Sequence, residues 1–452
     1  MKRGRTSVHI AARRVLAALA GVGVLMPSAA SGQVPPPPPV PEATAPALLN
    51  ASASTTLPAA RALELTVPAQ RLAGDAAGPA TVSVTTDIGG AGAAAHQATF
   101  SLQHIASDVT VDFDLPRGVI SVGGQQVGAF PPVGPLTDNL RFPVDVSIRR
   151  GTDVVTMRRD ITLLLPTVIV PGYSNERRTS ADPLVMQRFA RAGYTTAGPA
   201  TLFWFSYPSH NVNLEEGARA LAAYVRRTVL PATYAAKINV VGYSVGALFA
   251  RWNVQYDVEG WSGLVNRLVM VAAPNEGALM PYIGSHAPGF LPFVQSARSP
   301  LARAMDPVFP FWRARDSDPW SIPGDDGNPP LAALNARPMP PGIRLYNLYG
   351  NSDPARPGGP QTAAGVTGDL PGASVSYGFG DGIVLTASAL GLPINGSAGV
   401  PGLAGAVRVD VGRVYHTRVL EAATSRAAAA LQDRFETAAE AAGSALKTPA
   451  SP

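Results

Sequence analysis

The sequence predicts a mostly parallel α/β sheet wrapped by helices, preceded by a small all-β, sandwich-like domain. Three observations carry that expectation. Between about residues 60 and 159, short alternating segments (LELTV, TVSVTTD, ATFSLQH, VTVDFDL, VDVSIRR) are separated by Gly, Pro and Asp turns, a period-two pattern at sandwich spacing. From about Ile161 the pattern changes to apolar runs alternating with helical segments, as in a sheet buried on both faces. Within that region KINVVGYSVGALFARW, Lys237 to Trp252, runs a strand into Gly242-Tyr243-Ser244-Val245-Gly246 and then at once into an Ala/Leu-rich helix.

In chain order, Lys2, Arg3, Arg5, Arg13 and Arg14 precede a short apolar run, Val15 to Met26, and the small-residue stretch Pro27 to Gly32. Residues 1–32 therefore read as an export signal, with Ala30-Ser31-Gly32 fitting a cleavage site. The run is too short for a stable bilayer anchor, and no later segment is long and apolar enough. The mature chain is expected to be secreted or periplasmic, with no stable membrane anchor. The formal net charge of +5 resides in that leader: without its five basic residues, 31 Lys+Arg face 31 Asp+Glu. A neutral mature chain offers no electrostatic footprint for nucleic acid. There is no cysteine, which excludes disulfides, thiolate chemistry and Cys-based metal sites. Export without disulfides fits a bacterial source.

Residues 33–58, with five consecutive prolines from Pro35, read as an extended Pro/Ala linker. Residues 59–160 form the expected all-β, immunoglobulin-like domain, and 161–445 the α/β domain. There, ITLLLPTVIV and TLFWFSYP are expected strands, and Asp182 to Gly193 an expected helix. Asn213 to Leu230 is an amphipathic helix with Leu214, Ala218, Leu221, Val225 and Val229 on one face. VNRLVMVAAP and IRLYNLYG are further strands, and an Ala-rich helix begins near Arg418. Such a sheet places its site at the carboxyl ends of its strands.

G-x-S-x-G between a buried strand and a helix is the pattern of a nucleophile elbow. Side chains at Gly242 and Gly246 would collide with neighbouring backbone in so tight a turn. The helix beginning at Ser244 aims its first N–H groups where an oxyanion would form. Together with TVIVPGYSN, VAAPNEG, GDGIVLTAS and YHTRVL, in that order over roughly residues 165 to 435, these motifs resemble the α/β-hydrolase superfamily. The likeness is to its secreted bacterial lipases, in the lecithin–cholesterol acyltransferase-like and triacylglycerol lipase branch. Ala247 stands where many of these lipases have a second glycine, and Asn275 where a histidine is common.

The resemblance implies a lipase-type carboxylic-ester hydrolase working through an acyl-enzyme, in the chain order Ser, acid, His. Ser244 is the expected nucleophile. Of the six histidines, His9 is in the leader, His96 and His104 are in the all-β region, and His210 precedes the elbow. His286 precedes every candidate acid, so His416 is the expected base. Asp381, in a Gly-flanked loop, is favoured as the acid; Asp353, in an Asp-Pro turn after IRLYNLYG, is the alternative. The oxyanion hole is expected from the backbone N–H groups of Val245 and Tyr173. Residues 278–342, rich in aromatics and proline (Phe290, Phe293, Phe309, Phe311, Trp312), are an expected cap over an acyl-chain ester. Asp316, Asp318, Asp325 and Asp326 show no complete calcium-ligand spacing, so no metal and no organic cofactor are expected. An acyltransferase or phospholipase with the same triad remains an alternative. So does a surface binding protein whose hydrolase domain is only a scaffold.

Overall fold

The computed structural model describes residues 47–49, 54–58, 62–67, 80–88, 96–102, 109–150, 153–172, 181–196, 200–207, 213–277, 329–350, 381, 384, 386–392, 399–412, 414 and 416–434. The leader, Tyr173, His286, Asp353 and residues 278–328 of the expected cap lie outside them.

The amino-terminal region is all β. One sheet holds β1 (Ala47–Leu49), β3 (Ala62–Val67), β6 (Val109–Asp114), β7 (Val119–Val122) and β8 (Gln125–Ala129) in the order β1-β3-β6-β7-β8. The other runs β2-β10-β9-β4-β5, from β2 (Ser54–Pro58), β4 (Ala80–Thr86), β5 (His96–Leu102), β9 (Leu140–Arg150) and β10 (Asp153–Leu164). The alternation read from the sequence is literal: along β4 and β6 every second side chain is buried. The buried set, including Leu63, Val82, Val111, Phe113 and Val146, forms one core.

Two boundaries differ from expectation. β1 and β2 fall inside the expected linker, and each adds in parallel to a different sheet, β1 on β3 and β2 on β10. Ser-Thr-Thr-Leu, with two β-branched residues, suits such a strand. ITLLLPTVIV is two strands, not one: β10 ends at Leu164, and β11 (Thr167–Val170) begins after Pro166. Proline lacks the N–H that a continuous ladder needs. Leu165 packs in the all-β core while Leu164 packs in the α/β core, so the chain passes between them without a spacer.

The α/β region is a fully parallel sheet, ordered β12-β11-β13-β14-β15-β16. Its strands are β11, β12 (Leu202–Trp204), β13 (Ile238–Tyr243), β14 (Val265–Val271), β15 (Arg344–Tyr349) and β16 (Val407–Asp410). All seven residues of β14 are buried, as a central strand covered on both sides requires. Alternate residues feed two cores. Val168, Val240, Leu268 and Met270 pack toward one layer, while Ile169, Val241, Val269 and Val271 pack toward the other.

The first layer holds α2 (Leu214–Tyr224) and α3 (Val245–Gln255); the second holds α1 (Pro183–Arg191) and α7 (His416–Leu431). The predicted face of α2 is buried throughout. That helix starts on a capping box between Asn213 and Glu216. It ends its α register at Tyr224 and continues as one π turn, with the Leu230 N–H bonded to the Val225 carbonyl at 3.0 Å.

Shorter elements are α4 (Trp261–Leu264), α5 (Pro329–Asn335) and α6 (Thr386–Leu390). Residues 329–335 were expected in the cap. Instead Leu331 and Leu334 of α5 are fully buried in the first-layer core.

A polar clamp joins the two regions at the amino-terminal ends of the strands. Fully buried Arg267 of β14 bonds Asp138 at 2.8 Å and also Asp433, and Arg344 of β15 bonds the same two aspartates at 2.5 and 2.7 Å. Tyr234 inserts into the all-β core and donates to the Val133 carbonyl at 2.8 Å.

Candidate active site

β13 runs from Ile238 to Tyr243, and α3 starts at Val245, leaving Ser244 alone at the turn. Its backbone sits at φ 53°, ψ −126°. A non-glycine residue there costs on the order of 1–3 kcal/mol. The neighbouring chain accounts for the glycines. A Cβ at Gly242 would lie 2.4 Å from the Ala247 Cα, and one at Gly246 would lie 2.3 Å from the Val170 carbonyl oxygen. The elbow is therefore pressed against both its own helix and β11. The Ser244 N–H is held by the Val271 carbonyl at 2.9 Å, and the Ala247 N–H returns to the Ser244 carbonyl at 3.0 Å.

Ser244, His416 and Asp381 meet, although they are far apart in sequence. His416 Nε2 lies 3.0 Å from Ser244 Oγ, and His416 Nδ1 lies 2.7 Å from Asp381 Oδ2. All three are buried. The Asp381 loop is cross-tied: its Oδ1 accepts from the Val384 N–H at 2.8 Å, and its own N–H donates to the Val384 carbonyl at 3.2 Å. The Asp381 carbonyl accepts from the His416 N–H at 2.9 Å. Asp381 and His416 are thus joined through main chain as well as side chain. The other acid candidate, Asp353, lies outside the described residues. Gly350, at the end of β15, makes room for this loop, since a Cβ there would lie 3.0 Å from the Asp381 Cβ.

With Nδ1 protonated and donating to Asp381, the Nε2 lone pair faces the serine hydroxyl. That is the arrangement general-base activation of an alcohol requires. Val245 is the first residue of α3, so its N–H has no acceptor within the helix and points with the helix dipole toward the turn. Pro171-Gly172, which leads to Tyr173, abuts Ser244, and a Cβ at Gly172 would lie 2.9 Å from the Ser244 Cβ. Tyr173 itself is outside the described residues.

One part of the site region escaped sequence reasoning. Arg251, fully buried on α3, donates to Gln255 (3.1 Å), Asn275 (2.8 Å) and Asn335 (3.0 Å). Asn335 donates to Glu276 Oε1 at 3.1 Å, and Asn275 donates to the Ala389 carbonyl of α6 at 2.8 Å. Burial pulls the Arg251 guanidinium below its ordinary range, and the Glu276 carboxylate opposes that pull. The network ties α3 to the loop after β14, to α5 and to α6. The signal was present, because Arg251 is the one charge in the apolar helix VGALFARWNVQ, and a charge there demands partners. Which partners it takes is a tertiary matter that no local pattern reveals.

Among the described residues no group of three or more His, Cys, Asp or Glu side chains is placed to hold a metal ion. Asp316, Asp318, Asp325 and Asp326 lie outside them. No helix among the described residues is long and apolar enough to cross a membrane.

Residues 165–280 match the family described as lipase (class 2). No curated protein matches the chain. Among solved structures, a Bacillus licheniformis lipase in mature form is similar at 14% identity, over 59% of this chain and 91% of that one, with a TM-score of 0.37. A Listeria innocua gene product is similar at 13% identity, over 61% and 96%, with a TM-score of 0.33. A Pyrococcus furiosus esterase is similar at 15% identity, over 46% and 66%, with a TM-score of 0.22. The family match covers β11 through the loop after β14, the stretch that holds the serine turn, so this part of the chain is similar to class 2 lipases, and the parallel sheet around it has the α/β-hydrolase fold.

Proposed function

We propose that the protein is an exported carboxylic-ester hydrolase of lipase type, in which Ser244, His416 and Asp381 act as nucleophile, general base and orienting acid. The observation that carries this reading is the unbroken hydrogen-bond chain Ser244–His416–Asp381 at the carboxyl ends of the parallel strands. His416 Nε2 takes the Oγ proton as Oγ attacks the ester carbonyl, forming the C–O bond of a tetrahedral intermediate. The Val245 N–H, with Tyr173 as the expected second donor, stabilises the oxyanion. His416 then gives the proton to the departing alkoxide, leaving an acyl-Ser244. Water, deprotonated by His416, repeats the two steps and releases the acid and free Ser244. Asp381 holds the Nδ1–H tautomer and stabilises the imidazolium formed in each half-reaction. The residues assembled here need no organic cofactor for this cycle.

The apolar character of the expected cap favours esters of medium or long acyl chains, each buried CH₂ adding up to about 0.8 kcal/mol of binding. Measuring kcat/KM on p-nitrophenyl acetate, octanoate and palmitate tests the substrate class. Rising values along the series support a lipase, and a preference for acetate makes the enzyme a short-chain esterase. An acyltransferase would be exposed by adding a competing alcohol and detecting the transferred ester. Export is tested by amino-terminal sequencing of the mature protein, which should begin after residue 32 or close to it.

A further inference from the structure

Tyr243, the elbow residue just before Ser244, bridges His416 and the Pro171-Gly172 turn. Its hydroxyl donates to the main-chain carbonyl of His416. Its ring lies against the His416 imidazole, with centroids 5.2 Å apart and planes inclined by 33°. Its Cδ1 and Cε1 stand 3.1 Å from where a Cβ on Gly172 would be, so glycine there leaves room for the ring as well as for Ser244. One side chain thus spans from the Pro171-Gly172 turn, across the nucleophile, to the first residue of α7.

The attachment at His416 is complementary to the one from the acid. The His416 N–H is held by the Asp381 carbonyl at 2.9 Å, and the His416 carbonyl by Tyr243. Both sides of this one residue's backbone are therefore fixed, while its ring is fixed by Asp381 Oδ2 on one side and packed by the tyrosine ring on the other. A base must be held to within a few tenths of an ångström of its proton to act well, and rigid neighbours supply that precision.

We propose that Tyr243 is a positioning residue for His416, holding the imidazole in line with Ser244 Oγ through the hydroxyl–carbonyl bond and ring contact. The inference rests on the Ser244–His416–Asp381 reading. The residue acts through His416 and does not itself handle the transferred proton.

The test compares Tyr243→Phe and Tyr243→Leu with the unaltered full-length protein. Three quantities are read: kcat and KM on p-nitrophenyl octanoate, the second-order rate of Ser244 labelling by a fluorophosphonate, and the urea midpoint. Tyr243→Phe, which keeps the ring and loses the hydroxyl, should lower kcat about tenfold, equivalent to about 1.4 kcal/mol, with KM within about twofold. The labelling rate should fall in parallel, because it reports activation of the serine without any acyl-chain pocket. Tyr243→Leu, which loses both contacts, should fall on the order of a hundredfold in both rates. If Tyr243→Leu does not fold, Tyr243→Phe decides the matter alone.

Wild-type kcat and labelling rates in Tyr243→Phe overturn the proposal. So does a raised KM with an unchanged labelling rate, which would make Tyr243 a wall of the acyl pocket. A His416→Ala control separates the two levels of the reading. If His416→Ala retains wild-type activity, the triad assignment has failed; if it is inactive while Tyr243→Phe is normal, only the positioning role has failed.

Discussion

Ser244 can keep its left-handed backbone only because two glycines let the chain close around it. A Cβ on Gly246 meets the Val170 carbonyl oxygen at 2.3 Å, a backbone atom within the sheet that cannot swing aside. Gly246→Ala should cost about 1–3 kcal/mol of stability and move the serine, so both the urea midpoint and the esterase rate should drop. An unchanged midpoint would mean that the turn is looser than described. The acid is tested separately. Asp381→Asn should lower kcat on the order of 10⁴-fold, as in other Ser-His-Asp enzymes, whereas Asp353→Asn should leave it nearly unchanged. The reverse order would move the acid to the turn after β15. The meeting of Ser244, Asp381 and His416 was legible because the Ser, acid, His order leaves few residues to choose from. Tyr243 was not, because the second position of G-x-S-x-G carries no residue preference from which a contact with a histidine 173 positions away could be read.

At the scale of elements, α3 binds its surroundings through Arg251 as well as through apolar packing. Arg251→Met leaves Asn275, Asn335 and the Glu276 carboxylate buried without the guanidinium. It should cost about 3–5 kcal/mol, seen as a large fall in the urea midpoint, with Arg251→Lys between the two. A midpoint equal to that of the wild type would show that the network is dispensable. The long, strongly periodic elements, α2 and the buried strands β13 and β14, were readable from hydrophobic spacing alone. The short ones were not. β16, with the pattern Val-Arg-Val-Asp, is a four-residue edge strand with little apolar signal. Residues 329–335 follow an aromatic- and Pro-rich stretch that suggested a cap, yet two leucines at helical spacing send them into the core.

At the scale of the molecule, the all-β region and the α/β sheet are joined by a proline-kinked strand pair and by the Asp138–Arg267–Asp433–Arg344 clamp. Local periodicity identified both regions, but the clamp is made of single charges scattered over the chain, and the shift from β10 to β11 hides inside one apolar run. Burial pushes the Asp138 carboxyl up, but the Arg267 hydrogen bond and the charges of Arg267 and Arg344 outweigh it and hold it below 3.8. Its contribution to stability is therefore present above that ordinary value and is lost as pH falls through the lower folded value. Asp138→Asn should lower the urea midpoint at pH 7, and its deficit should shrink below about pH 4 as the wild-type carboxyl takes up its proton. A deficit that does not change with pH would show that the clamp acts by packing alone. All of this serves the claim that one serine, delivered by the elbow to a fixed histidine, does the chemistry. The most direct measurement is fluorophosphonate labelling of the wild-type protein followed by peptide mapping. The account predicts a single labelled peptide containing Ser244, no labelling in Ser244→Ala, and ester hydrolysis lost in step with it. Labelling at another residue, or wild-type ester hydrolysis by Ser244→Ala, would contradict it.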